Sequence, residues 1–197
     1  AYSYVASRIL LRQLYEEVIG EHVDFANLGK EYRSTFVKNI KYGLEAEQLD
    51  TRMGEFDLEK LAAALVPERD NDFLYLGTQT LYDRYLVRDA SRDGKCIELL
   101  QGFWMRIAMG LALLEGDKKN DKAIEFYHAM SEMRFVPSSP TLFHSGTRHP
   151  QLSSCYLNSV GDSLESIYKV YGDNAQLSKY AGGIGTNWTS VRASGAL

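Results

Sequence analysis

In the stretch QLSSCYLNSVGDSLESIY, residues 151–168, one cysteine, Cys155, follows Ser153 and Ser154 and precedes a short apolar run. A thiol can act as nucleophile, metal ligand or reductant, and a reductant needs a second thiol to close a disulfide. The chain has one other cysteine, Cys96, which reads as a small structural thiol. A redox role for Cys155 therefore places its partner outside these residues. The alternative is a buried packing cysteine, although serines, a proline-rich loop and a glycine turn around it suit a pocket.

Just downstream, Asp162-Ser163-Leu164-Glu165 fits a capping box, with Asp162 placed to accept from first-turn amides and Glu165 to reach back. The same helix start, with free amides and a positive dipole end, favours phosphate groups or ribose hydroxyls. The Asp162 carboxylate suits a ribose hydroxyl better than a phosphate. AGGIG, residues 181–185, offers backbone without Cβ atoms that a ligand can approach closely. It lacks both the GxGxxG spacing and the GK[ST] ending, so a plain tight turn is the alternative. Lys179 before it and Arg192 after it could flank a triphosphate, or be solvated surface charges.

These residues need a scaffold, and the chain changes character to supply one. Helical spacing runs through Tyr4–Val18 (stripe Val5, Ile9, Leu10, Leu14, Val18), Leu28–Tyr42, Asp57–Leu65, Asn71–Leu86, Glu98–Leu114 and Asp121–Met133. Asp93-Gly94 between short apolar runs predicts a tight hairpin with Cys96 on its return arm. At RFVPSSPTLFHSG the period stops, and an extended, ordered loop is expected. We place a boundary there, giving a helical region 1–134 and a second region 135–197. In the second, SSCYLNSV reads as a strand, Asp162–Lys179 as a helix and the glycine turn as the start of another strand. Strand, helix, strand implies a parallel crossover, the building unit of an α/β sheet or barrel. One such unit leaves strand edges unpaired, so the domain is expected to be incomplete.

With 197 residues, 45% hydrophobic, 24% charged and a net charge of −4, the composition is that of a globular protein and opposes nucleic-acid coating. No run approaches the roughly 18–20 apolar residues of a membrane span, and AYSYVASRILL lacks secretory order, so a cytoplasmic location without membrane partners is expected. His22, His128, His144 and His149 show no HExxH or CxxC spacing, and no metal site is expected.

SPTLFHSGTRHPQLSSCYLNSVGDSLESIY followed by LSKYAGGIGTNWTSVRASG resembles the large catalytic subunit of class I ribonucleotide reductase. LYLGTQTLYDRYLVRD and FWMRIAMGLALLEGD are similar to that family's N-terminal helical domain. The resemblance implies a mainly α N-terminal domain followed by the first strand-helix-strand unit of an α/β barrel of ten strands. It implies radical-based reduction of ribonucleoside diphosphates to deoxyribonucleotides for DNA synthesis. By the same resemblance Cys155 is the reductant thiol at the 2′-carbon, paired with a later cysteine. Ser139, Ser154, Gly182 and Gly183 join it in lining the substrate. Asp162, Ser163, Leu164, Lys179 and Arg192 would form an allosteric effector site for a deoxynucleoside triphosphate or ATP with Mg2+ at a homodimer interface. The implied partners are the rest of the large subunit, a small subunit carrying a diiron or dimanganese radical cofactor, and thioredoxin or glutaredoxin. This piece alone is expected to be inactive, with no cofactor of its own. The other readings are a cobalamin-dependent reductase fragment and a non-catalytic helical nucleotide-binding module.

Overall fold

The computed structural model of the chain describes residues 2–196 and divides into two compact units, the first ending at Pro150 and the second beginning at Gln151. The first is helical: α1 (Tyr2–Val18), α2 (Leu28–Glu45), α3 (Leu58–Ala64), α4 (Tyr75–Thr80), α5 (Leu100–Ala112), α6 (Lys119–Ser131) and α7 (Ser139–His144). Between α4 and α5 runs a short antiparallel ribbon of β1 (Arg88–Asp89) and β2 (Lys95–Cys96).

The core is organised by α5, whose sequence is apolar around most of its circumference. Leu100, Phe103, Met105, Ile107, Ala108 and Met109 are all fully buried in it, as expected of a helix enclosed by others. Packed chiefly against α4, α1 buries Ser7, Leu10, Leu11, Leu14 and Tyr15. This face is rotated from the stripe read in the sequence, for Val5 and Ile9 are 59% and 65% exposed. Ser7 explains the rotation: its hydroxyl bonds inward to the Phe73 carbonyl at 2.9 Å and to Thr78 Oγ1 at 2.8 Å.

The continuous helix expected over Asn71–Leu86 is broken into pieces. Pro67–Asp72 forms 3-10 turns, Phe73 and Leu74 are extended, and after α4 the residues Leu81–Tyr85 widen into a π turn. Asp70 accounts for the break. Its carboxylate is fully buried and accepts from Tyr15 on α1 (2.9 Å), Tyr32 on α2 (3.0 Å) and Gln101 on α5 (2.8 Å). Three helices supplying donors to one buried group fix the local path of the chain, since an unpaired buried carboxylate is costly. Burial pushes the Asp70 carboxyl up to about 6, with the three donors pulling against it.

The ribbon forms where expected, with Asp93 and Gly94 both at positive φ (57° and 71°). Its connection also contains a 3-10 turn, Ala90–Arg92, so it is longer than a two-residue hairpin. Cys96 on the return arm is buried, and burial pushes its thiol up to about 12.

The proline-containing segment is not the extended loop that the loss of period predicts. It holds α7, with Pro140 in the first turn where its missing amide is harmless, and it packs on the helical unit. Arg106 of α5, 1% exposed, makes a bidentate pair with Glu98 (2.9 and 3.0 Å) and donates to the Ser145 carbonyl at 2.5 Å. Ser145 Oγ in turn donates to the Ile107 carbonyl at 2.9 Å. This contact needs Gly110: a Cβ there would lie 2.3 Å from both Gly146 N and Ser145 Oγ. Helical periodicity stops near Phe135, whereas packing on the helical unit continues to Pro150.

In the second unit β3 (Cys155–Ser159) and β4 (Gly183–Asn187) pair in parallel, joined by α8 (Leu164–Lys179). This is the crossover that the strand, helix, strand order predicts. Among its described residues only Val160 and Val170 are buried.

Candidate functional site

Cys155 opens β3 and stands opposite Gly183 in the parallel register. Its sulfur is exposed and lies 3.7 Å from Ser154 Oγ. The Gly183 amide donates to the Ser154 carbonyl at 2.7 Å, locking the start of β4 beside the thiol. A Cβ on Gly183 would come to 3.9 Å from the sulfur and 3.3 Å from the Ser154 carbonyl, so glycine leaves the sulfur's flank clear. Gly182 is more constrained, since a Cβ there would sit 3.0 Å from the Leu177 carbonyl and from a Tyr156 ring carbon. Two further bonds steady the approach: Tyr156 OH to the Ser153 carbonyl and Gln151 Nε2 to the Tyr180 carbonyl, both 2.9 Å. Ser154, Cys155, Gly182 and Gly183 thus converge at one end of the strand pair.

Asp162, Ser163, Leu164 and Arg192 gather at the other end, five strand residues away, or about 15 Å. Here the capping differs from the sequence reading. Ser163, not Asp162, is the cap, its Oγ accepting from the Ser166 amide at 3.2 Å. The reciprocal bond comes from Ser166, whose hydroxyl accepts from the Gly161 amide at 2.7 Å, and not from Glu165. Asp162 is drawn away by Arg192, accepting its amide at 3.2 Å and its Nε at 2.7 Å. That amide, with the guanidinium, holds the Asp162 carboxyl below its usual range. The pair ties the loop after β4 to the start of α8, while Asn187 Oδ1 accepts from both Thr189 N and Thr189 Oγ1 to turn that loop. Leu164 is 73% exposed.

Lys179 is not brought to this cluster. It ends α8, a helix of 16 residues and so about 24 Å long, with its ammonium over the Tyr180 ring. Ser139 lies in the helical unit, exposed at the start of α7, its Oγ 3.1 Å from Tyr85 OH.

Three polar residues that sequence reading passes over hold the second unit's geometry. Asn158 Nδ2 donates to Asn174 Oδ1 at 2.6 Å, and Asn174 Nδ2 donates to Thr186 Oγ1 at 3.1 Å, fastening α8 to both strands midway between the clusters. Arg106 was also missed, although a single cation inside GFWMRIAMGLALL is a legible sign of a buried partner. Among the described residues no group of three or more His, Cys, Asp or Glu could hold a metal ion, and no helix is long and apolar enough to cross a membrane.

Residues 71–150 match the family described as ribonucleotide reductase, all-alpha domain, and residues 153–197 match ribonucleotide reductase, barrel domain. The chain is 47% identical over 196 residues to the ribonucleoside-diphosphate reductase subunit alpha of Chlamydia pneumoniae, covering 100% of this chain and 18% of that protein. It is 40% identical over 199 residues to the subunit alpha of Helicobacter pylori strain 26695, covering 99% and 23%. With the ribonucleoside-diphosphate reductase large subunit of monkeypox virus the identity is 33% over 203 residues, covering 99% and 24%. The chain spans about a fifth of the length of these relatives.

Proposed function

Because the chain belongs to the ribonucleotide reductase large-subunit family, we propose that Cys155 is a reductant thiol in the conversion of ribonucleoside diphosphates to 2′-deoxyribonucleotides. The observation that carries this reading is the exposed sulfur at the head of β3, with a glycine across the register leaving its flank clear. Cys155 and a second thiol from polypeptide beyond these residues give up two electrons and two protons as they close a disulfide. The ribose 2′-hydroxyl leaves as water, and hydrogen takes its place on carbon. Cys96 does not supply that second thiol, being buried and hard to ionise. A small subunit with a diiron or dimanganese centre supplies the radical that starts the chemistry. Thioredoxin or glutaredoxin reopens the disulfide.

Ser154, Gly182 and Gly183 are substrate contacts in this proposal, as is Ser139 of the helical unit. Asp162, Ser163, Leu164 and Arg192 take a nucleotide effector with Mg2+. Asp162 can serve there even while paired, because each carboxylate oxygen keeps a second acceptor position for a ribose hydroxyl. Lys179, at the far end of α8, reaches an effector from a second copy of the chain. The exposed Leu164, Tyr168 and Tyr171, one stripe at helical spacing, give α8 an apolar face for that copy.

In the intact reductase, Cys155→Ser is expected to abolish multiple turnover with a dithiol reductant while effector affinity stays within twofold. Continued turnover at the parent rate would remove the redox assignment.

A further inference from the structure

Ser139 is exposed on α7, yet its surroundings hold it in one place from two directions. On one side stands Tyr85, the last residue of the π turn: its hydroxyl is 3.1 Å from Ser139 Oγ, and its ring stacks on Phe143 with centroids 4.5 Å apart and planes at 25°. The second restraint is the Glu98–Arg106 pair, which acts on the neighbouring segments. Arg106 reaches the carbonyl of Ser145, which follows the last residue of α7. Glu98 Oε1 accepts from the Val87 amide at 2.8 Å, two residues after Tyr85. One buried ion pair therefore fixes both the segment carrying Tyr85 and the end of the helix carrying Ser139.

We propose that Tyr85 is a positioning residue for the substrate, acting through Ser139, with the buried Glu98–Arg106 pair holding the two segments in register. The chemistry is one of donor direction. A serine hydroxyl has one proton and two acceptor positions, whereas the charged oxygens of a nucleotide's phosphates only accept. When the Tyr85 phenol donates to Ser139 Oγ, the serine proton is left to point outward at a phosphate oxygen. Without that phenol the hydroxyl rotates freely, and part of its time is spent bonded to water or to nearby carbonyls.

This inference rests on the reading of Ser139 as a substrate contact, and a double-mutant cycle separates the two. In the intact reductase, KM and kcat for a ribonucleoside diphosphate are measured for Tyr85→Phe, Ser139→Ala and the double variant, with thermal melts alongside. Tyr85→Phe keeps the ring stacked on Phe143, so its melting temperature and kcat should equal the parent's. Its KM should rise roughly two- to tenfold, the worth of one neutral hydrogen bond. Ser139→Ala should raise KM at least as much, and adding Tyr85→Phe to it should change nothing more. If Ser139→Ala raises KM but Tyr85→Phe does not, or if the two effects multiply, the positioning role fails and the substrate contact stands. If Ser139→Ala leaves KM unchanged, the substrate contact itself fails and Tyr85 loses its role with it.

Discussion

In the helical unit α5 is buried along most of its length, and α1, α2, α3, α6 and α7 join it in supplying side chains to one continuous core. In the second unit β3, α8 and β4 bury only Val160 and Val170 among the described residues, and Leu157 is 91% exposed. The first unit holds its shape by removing apolar area from water, a non-directional force. The second depends on directional bonds: the parallel ladder, the Asn158–Asn174–Thr186 bridge and the Asp162–Arg192 pair. The candidate thiol and all five proposed effector residues sit on the unit with least core. Most of the burial and most of the proposed chemistry thus fall on different stretches of one chain.

Truncation in the core tests this division most severely. Phe103→Ala removes a fully buried ring that packs edge-on against Trp104 and should cost about 3–5 kcal/mol in denaturant unfolding. A loss below about 1 kcal/mol would show that the helical unit does not depend on α5 as described.

A smaller effect follows from Asp70. Its folded-state value of about 6 lies above the ordinary 3.8, so the folded state binds the proton more tightly than the unfolded chain does. Its contribution is fully present below about pH 4 and is lost as pH rises through about 6, amounting to at most about 3 kcal/mol. Unfolding free energies across that window should fall with rising pH in the parent and lose that slope in Asp70→Asn. The same slope in both proteins would assign it to other groups.

The smallest changes are expected in the second unit. Leu157→Ala and Cys155→Ser, both at exposed positions of β3, should shift unfolding free energy by no more than about 0.5 kcal/mol. Cys155→Ser is nonetheless expected to abolish turnover in the intact reductase, so one substitution would separate the two properties. A loss of several kcal/mol at either position would mean that β3 is part of a core.

What the sequence makes legible follows the same division. Helices with strong periodicity, α2, α5, α6 and α8, stand within a few residues of their expected positions, because apolar spacing alone sets them. The expected crossover is present for a related reason: β-branched and aromatic residues after the glycine and proline signals leave few alternatives. Where one polar group chose a distant partner, local rules failed. Asp162 looks like a cap until Arg192, thirty positions later, takes both its oxygens. Asp70 breaks a predicted helix because its donors come from three others. Arg106 turns a proline-rich stretch into a packed helix through carbonyls that no local pattern reveals. The glycine motif could be read as close-approach backbone, but its distances to Cys155 required the register of β3 and β4.

Gly110 carries a consequence for anyone trying to make this chain hardier. Replacing a mid-helix glycine by alanine is a standard route to thermostability, with gains of about 0.4–1 kcal/mol where the backbone allows it. Here the added methyl group would collide with Gly146 and Ser145. That would push the Ser139-bearing segment off its seat, and the usual remedy would act as a poison at this one position.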